Sequence, residues 1–198
     1  ETPSDLEPEL GPLYPSKDDK FIIEQMIKER ANWINYFGKE TTKTLNLYWD
    51  FIYDNWINLI SIDHIKGPVV PCHFDMHPHN LIAKNGQINA VLDFDSCKRI
   101  PLGISLAFNA LKQCRQTISN DNDIYEFKKI ADTYIEIISN QISCKDFSSY
   151  DFLNLSKLEV MRRVCLIFRL NLRDNNSKWN HILPVQIAHL FESDKLFK

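Results

Sequence analysis

The residues best suited to chemistry lie in one segment near the middle of the chain. It starts His-Phe-Asp-Met-His-Pro-His-Asn at His73 and, after two short apolar runs, ends Leu-Asp-Phe-Asp at Asp95. A carboxylate and an amide thus stand five positions apart, at Asp75 and Asn80, and a second carboxylate follows at Asp93. Carboxylate and amide oxygens are the ligands that Mg²⁺ prefers. The pattern is typical of sites that position a nucleophile and a metal for phosphoryl transfer.

A β-hairpin is predicted to bring these side chains together. The two apolar runs flank Asn85-Gly86, the preferred pair for a tight turn with positive φ. With that turn, paired residue numbers sum to roughly 171, so that Asn80 pairs near Val91, two residues before Asp93. We therefore expect Asn80 and Asp93 at the open end of the hairpin, with Asp75 reaching that end from the preceding loop.

With these residues in view, the segment resembles the catalytic loop and metal-binding loop of the aminoglycoside phosphotransferase and choline kinase-like superfamily, whose members are relatives of protein kinases. The family pattern reads roughly His-Gly-Asp-Leu-His-Pro-Gly-Asn, then a hairpin, then Ile-Asp-Phe-Asp/Glu. The matching positions are His73, Asp75, His77, Pro78, Asn80, Asp93, Phe94 and Asp95.

The resemblance implies a role for each matching residue. Asp75 is then the catalytic aspartate, and Asn80 and Asp93 bind Mg²⁺ together with the nucleotide phosphates. His73 is expected to support the loop, as are His77 and Asp95. The implied reaction transfers the γ-phosphate of ATP, or of another nucleoside triphosphate, to a hydroxyl of a small molecule. An aminoglycoside, choline, a sugar or an amino-acid-like compound would be such an acceptor.

The chain departs from the family pattern at three places. Phe74 and His79 stand where the family often has glycine, so a bulkier loop is expected. After the metal loop the family has an aspartate at the start of a helix, whereas this chain has Ser105. Serine can cap a helix. It cannot supply the carboxylate that helps to anchor the catalytic loop in the family.

The fold class predicted from the sequence is α+β and mainly helical. A proline-rich linker or hinge is expected over residues 1–17 and a helical lobe over 18–198. Apolar periodicity predicts a helix from about residue 18 to Gly38, a second from Thr41 or Thr42 to Leu59, and later helices over about 105–118, 124–139, 152–172 and 179–191. Val69 to His73 is predicted to form a strand. By resemblance, this is the C-terminal lobe of a kinase-like fold, and the N-terminal lobe of the same polypeptide is expected to be missing.

Composition narrows the class of protein further. The net charge is -3 and the isoelectric point is near 6.1, so nucleic acid is not an expected partner. Five cysteines without Cys-x-x-Cys spacing indicate a reducing compartment. No apolar run has the length of a membrane span, and no signal peptide pattern begins the sequence. A cytoplasmic protein without a membrane partner is the expectation.

Two other interpretations remain open from the sequence. His73, His77 and His79, with Asp75, could form a zinc or iron site of a hydrolase, although Pro78 opposes a regular strand there. Alternatively, the chain could be a catalytically inactive kinase-like module that binds or regulates. Ser105 and the missing lobe favour that interpretation, while the retained Asp75, Asn80 and Asp93 oppose it.

Overall fold

The computed structural model describes residues 17–59, 68–117, 124–141 and 148–197. These residues are mainly helical, with two small antiparallel sheets, in agreement with the predicted α+β class. The helices are α1 Lys17–Lys28, α2 Trp33–Leu59, α3 Leu102–Thr117, α4 Ile124–Gln141, α5 Ser149–Asp174 and α6 Leu183–Phe197. The strands are β1 Val69–His73, β2 Leu81–Lys84, β3 Gln87–Val91 and β4 Cys97–Pro101. The predicted linker over residues 1–17 lies almost wholly outside the described residues.

The chain divides into two compact units. Among the described residues, unit 1 comprises 68–117, 124–141, 148–156 and 193–197, and unit 2 comprises 17–59 and 157–192. Both sheets, with α3 and α4, lie in unit 1. Unit 2 is formed by α1, α2 and the greater part of α5 and α6. The division of the sequence into a linker and one lobe stays a prediction.

Unit 1 contains the antiparallel strand pair of β1 and β4, of which only β1 was predicted from the sequence. β1 forms as expected, and it pairs antiparallel with β4 from Val69 opposite Pro101 to His73 opposite Cys97. The sequence Cys-Lys-Arg-Ile-Pro of β4 has no alternating apolar pattern, so β4 was not predicted. It forms because the backbone groups of β1 require hydrogen-bond partners. The pair ends directly in α3, where the Leu102 N–H donates to the Pro68 carbonyl at 2.9 Å.

Unit 2 contains an aromatic core. Phe168 of α5 meets Phe37 and Trp49 of α2, at ring-centroid distances of 5.9 Å and 6.2 Å. The predicted break at Gly38 is confirmed, because its φ of 75° interrupts the helical backbone within α2. The predicted helix before it is itself interrupted by a 3-10 turn at Arg30–Asn32. The Trp33 indole N–H donates to the Met26 carbonyl at 2.9 Å and so satisfies a backbone acceptor near this interruption.

The starts of α5 and α6 differ from the predicted starts for local reasons. Ser148 Oγ accepts from the Asp151 N–H at 3.1 Å, and Asp151 Oδ2 accepts from the Ser148 N–H at 2.9 Å. This reciprocal capping box begins α5 at Ser149, earlier than residue 152. At α6, Pro184 has no N–H and fits only in the first turn, so the regular helix begins at Leu183.

The described cysteines, Cys72, Cys97, Cys114 and Cys165, are free thiols. Cys72, Cys114 and Cys165 are buried. Burial raises the pKa of the Cys114 thiol to about 12, so this side chain is a protonated apolar residue at neutral pH. Cys144 lies outside the described residues.

Candidate active site

The hairpin of β2 and β3, which is flanked by the predicted metal ligands Asn80 and Asp93, forms as predicted around Asn85-Gly86, both of which have positive φ. The register near the turn is also as predicted, with Lys84 opposite Gln87. A β-bulge then shifts the pairing by one residue between Ile82 and Ala83. The predicted pairing of Asn80 with Val91 is therefore wrong, because Leu81 lies opposite Val91. The Leu92 N–H donates to the Asn80 carbonyl at 2.8 Å, which brings Asn80 one residue closer to Asp93.

His73 connects the predicted catalytic loop, residues 74–80, to the end of β3, which leads into the predicted metal loop, residues 92–96. Its Nδ1 accepts from the Asp75 backbone N–H at 3.3 Å, and its Nε2 lies 2.7 Å from the Leu92 carbonyl. These contacts fit the imidazole tautomer whose proton is on Nε2. Both ring nitrogens are thus engaged by the backbone. His73 has the geometry of the supporting residue that the resemblance implies.

Asn80 is buried at the end of the catalytic loop, in a short 3-10 helix that starts at Pro78. Its side-chain Nδ2 donates to the Asp75 carbonyl at 2.8 Å, and its backbone N–H donates to the His77 carbonyl at 2.9 Å. The amide nitrogen is therefore used to close the loop. The amide oxygen is the atom of this side chain that could bind a cation.

Asp75 is partly exposed and has two basic neighbours. Lys112 of α3 forms an ion pair with Asp75 Oδ1. His77 Nε2 lies 3.5 Å from Asp75 Oδ2. The Lys112 side chain is only 13% exposed, so the pair is less screened by water than a surface pair. The Asp75 carboxylate therefore lies next to the positive charge of Lys112.

One face of α3 holds the catalytic loop. Asn109 Oδ1 accepts from the Met76 N–H at 3.1 Å, and its Nδ2 donates to the His73 carbonyl at 2.9 Å. Gln113 Nε2 also donates to the Met76 carbonyl at 3.2 Å. Ser105 does not contact the loop in these bonds, but its Oγ accepts from Asn109 Nδ2 at 3.2 Å. The loop is thus anchored by the side-chain amides of Asn109 and Gln113, one and two helical turns after Ser105.

The two bulky residues of the loop have different environments. Phe74 is buried and packs against Phe108 of α3, with ring centroids 5.4 Å apart. Its side chain thus adds an apolar contact between the loop and α3. His79 is exposed, and its ring lies 5.4 Å from the ring of His77. The large side chain of Phe74 is thus accommodated in the core, and that of His79 on the surface.

Sequence reasoning did not identify Asn109, Lys112 and Gln113, although a signal was present. These three positions share one face of α3 with Ser105. Most of the other side chains in that stretch are apolar, so the helix carries a polar stripe on an otherwise apolar segment. Such a stripe on the helix that follows the metal loop indicates a surface that binds polar backbone groups.

The metal loop begins at Asp93, whose backbone is left-handed with φ 60° and ψ 57°. Aspartate tolerates this conformation better than most residues other than glycine and asparagine. A 3-10 helix, Phe94–Ser96, follows, and the Phe94 ring packs edge-on against His73 at 5.5 Å. The side chains of Asp93 and Asp95 are exposed. The left-handed turn changes the chain direction at the residue predicted to bind metal.

The donor atoms near the open end of the hairpin fit Mg²⁺ better than a transition metal. Asn80 offers an amide oxygen and Asp93 a carboxylate, and Mg²⁺ commonly takes one or two such protein ligands beside waters and phosphates. Within the described ranges, no group of three or more His, Cys, Asp or Glu side chains could hold a metal ion. Because both nitrogens of His73 contact the backbone, a cluster of His73, His77 and His79 around one metal is not supported.

Comparison with known proteins agrees with this geometry. The model of the phosphotransferase enzyme family matches residues 30–108, which include the catalytic loop and the metal loop. The resemblance to the aminoglycoside phosphotransferase and choline kinase-like superfamily is thereby confirmed over this part of the chain. Neither a curated protein nor a solved structure matches the chain. No described helix has the length and apolar character needed to cross a membrane.

The contacts of Asn109 lead to a first prediction. Replacing Asn109 with Leu keeps the size of the side chain but leaves the Met76 N–H and the His73 carbonyl without this partner. We expect the free energy of unfolding to fall by about 1–3 kcal/mol, because partly buried polar groups lose their hydrogen bonds. Urea unfolding measures this change, and hydrogen exchange at the Met76 amide should become faster.

The matched control is Asn140→Leu, the same substitution at an exposed position of α4. It should change the free energy of unfolding by less than about 0.5 kcal/mol. Equal unfolding free energies for the two variants, with unchanged exchange at Met76, would show that Asn109 does not anchor the loop.

Proposed function

We propose that this chain carries the catalytic and metal-binding loops of an ATP-dependent kinase, which transfers the γ-phosphate to a hydroxyl of a small molecule. An aminoglycoside, choline, a sugar or an amino-acid-like compound is the proposed class of acceptor. The proposal places the protein in the cytoplasm, with no nucleic acid or membrane as partner. Nucleotide binding is completed by an N-terminal lobe of the same polypeptide, so that the chain has the role of a C-terminal lobe.

The observation that carries this proposal is the closure of the loop by Asn80. Its side chain binds the carbonyl of Asp75 at 2.8 Å, while its own carbonyl binds the N–H of Leu92, also at 2.8 Å. One residue therefore links the proposed catalytic aspartate to the strand end that precedes Asp93. Phosphoryl transfer requires mainly that the groups be positioned and that charge be compensated. This link supports the first requirement, because it fixes the spacing between the two loops.

Each residue has a defined task in the proposed reaction. Asp75 orients the acceptor hydroxyl and receives its proton as the new bond to phosphorus forms. Asn80 and Asp93 hold Mg²⁺ with the nucleotide phosphates; when bound, the ion compensates the negative charge of those phosphates. His73 keeps the loop in register with the metal loop. Lys112 keeps the Asp75 carboxylate oriented until an acceptor arrives.

The experiment is a direct assay on the natural polypeptide that carries this sequence. Binding of ATP is measured by calorimetry with Mg²⁺ and with EDTA, and release of ADP is then measured with a panel of amino alcohols, sugars and aminoglycosides. We expect Mg²⁺-dependent binding and acceptor-dependent ADP release. If ATP does not bind, the kinase-like module is not an enzyme of this class. Chelator-sensitive hydrolysis without nucleotide would support the metal hydrolase instead.

A further inference from the structure

The turn between β2 and β3 is open to solvent. Lys84 lies opposite Gln87, so the loop consists of Asn85 and Gly86 alone. Both of these residues are exposed. Apart from the chain neighbours of Gly86, no heavy atom lies within 4 Å of the position that a Cβ on this residue would occupy. The backbone around Gly86 is therefore accessible to the side chain before it and to water.

An asparagine that precedes a glycine can lose its side-chain amide without an enzyme. In this chain the backbone nitrogen of Gly86 would attack Cγ of Asn85, and a cyclic succinimide would form. The new bond joins Gly86 N to Asn85 Cγ, the bond from Cγ to Nδ2 breaks, and Nδ2 leaves as ammonia with the proton of the Gly86 N–H. Water then opens the ring at either carbonyl and yields aspartate or isoaspartate. Glycine favours the attack because it has no Cβ to hinder it.

The hairpin is held weakly enough for the turn to open. The attack requires the Asn85 carboxamide to face the Gly86 nitrogen, and this requires a rearrangement of a loop in which both residues have positive φ. Among the described residues, the sheet of β2 and β3 has two strands, and most of its side chains are exposed. A two-stranded hairpin has only marginal stability by itself. Local opening of such a segment costs little free energy compared with global unfolding.

Asn176 is an asparagine of similar exposure that lacks these features. It lies in the loop after α5 and is exposed, but the next residue is Ser177, which has a Cβ beside the attacking nitrogen. Its side chain is also held, because Asn176 Oδ1 accepts from the Lys178 N–H at 3.0 Å. Asn176 is therefore the matched reference for a slow reaction at the surface of this chain.

We propose that Asn85 is a site of spontaneous deamidation in the folded protein, with water as the only co-reactant. The aspartate product keeps the loop, since Asp-Gly also adopts positive φ. The isoaspartate product adds one atom to the main chain of the loop, so the pairing of Lys84 with Gln87 is lost. The hairpin connects Asn80 to Asp93. The chemical change thus occurs in the segment between the two predicted metal ligands.

Mass spectrometry of the full chain tests this proposal. The protein is incubated in heavy-oxygen water at mildly alkaline pH, both folded and unfolded in urea, and the peptides that contain Asn85 and Asn176 are followed over time. We expect the folded chain to incorporate solvent oxygen at Asn85 at a rate within about tenfold of that of the unfolded chain, because the turn opens readily. Asn176 in the folded chain should react at least about tenfold more slowly than Asn85. An isoaspartyl methyltransferase should label the Asn85 peptide after incubation.

Two variants connect the reaction to the hairpin. Asn85→Gly removes the carboxamide and keeps a residue that adopts positive φ without strain. Asn176→Gln is the matched control and leaves the turn unchanged. Hydrogen exchange at the amides of β2 and β3 should become faster with incubation in the unchanged protein and in Asn176→Gln, but not in Asn85→Gly. If the Asn85 peptide of the folded chain stays intact after the unfolded chain has reacted, the turn protects this residue and the proposal is wrong. Equal rates at Asn85 and Asn176, or hydrogen exchange that deamidation does not change, would also overturn it.

Discussion

Replacing Asp75 with Asn is expected to lower the turnover of the natural polypeptide by at least about a hundredfold, with nucleotide binding largely retained. Asparagine keeps the size of the side chain and can still contact an acceptor hydroxyl, but it cannot accept the proton of that hydroxyl. A general base contributes about a hundredfold or more to the rate. Steady-state kinetics with ATP and an identified acceptor measures the change, and calorimetry with Mg²⁺ and ATP measures the binding.

Two further variants isolate the chemical role of Asp75 from its structural one. Lys112→Met removes the ion pair but leaves the carboxylate, so its fall in turnover should be clearly smaller than that of Asp75→Asn. Asp174→Asn makes the same substitution at an exposed position at the end of α5 and should leave turnover unchanged. Near-normal turnover in Asp75→Asn would remove Asp75 from the chemistry. Equal losses in Asp75→Asn and Lys112→Met would assign the effect to the pair.

Replacing Asp93 with Ala is expected to abolish productive binding of Mg²⁺ and ATP. The substitution removes the carboxylate of the proposed metal site, and the amide oxygen of Asn80 alone is a weak ligand for a hard cation. Calorimetric titration with ATP in the presence of Mg²⁺ should show no saturable binding at concentrations that saturate the unchanged protein. The same titration with EDTA gives the baseline for binding that does not depend on the metal.

The backbone at Asp93 requires its own control, because its φ of 60° is unfavourable for alanine. Glycine adopts this conformation without strain, and asparagine tolerates it while removing only the charge. We therefore expect Asp93→Gly to lose Mg²⁺-dependent binding as completely as Asp93→Ala, and Asp93→Asn to retain a weakened part of it. If Asp93→Gly keeps normal metal dependence, Asp93 is not a ligand, and the loss in Asp93→Ala is due to backbone strain.

The hairpin shows how far local sequence predicts this site. The pair Asn85-Gly86 determines the turn because both residues readily adopt positive φ, and the structure has the turn at that place. The predicted register is correct only up to the bulge between Ile82 and Ala83, where the pairing shifts by one residue. Strand alternation on this hairpin is weak, since most of its side chains are exposed on both faces. A register with little burial to specify it is open to a shift of one residue.

The anchoring of the catalytic loop is a part of the site that the sequence left unassigned. The family pattern has an aspartate at the position of Ser105, and serine cannot supply the carboxylate that helps to anchor the loop. Asn109 and Gln113 perform this task from the next two turns of α3. Residues at i, i+4 and i+8 lie on one helix face, so a side chain one or two turns further along α3 can bind the same loop.

The sequence by itself determined the types and spacing of the site residues, the tight turn of the hairpin, the first strand and the approximate positions of the helices. Each of these depends on interactions between residues that are close in sequence. The tertiary structure decided the pairing of β1 with β4, the ion pair of Lys112 with Asp75, and the hydrogen bonds of Asn109 to the loop. Those contacts join residues 24 to 37 positions apart, from His73 opposite Cys97 to Asp75 with Lys112. Their geometry depends on how α3 packs against the strands, and no local pattern specifies that packing.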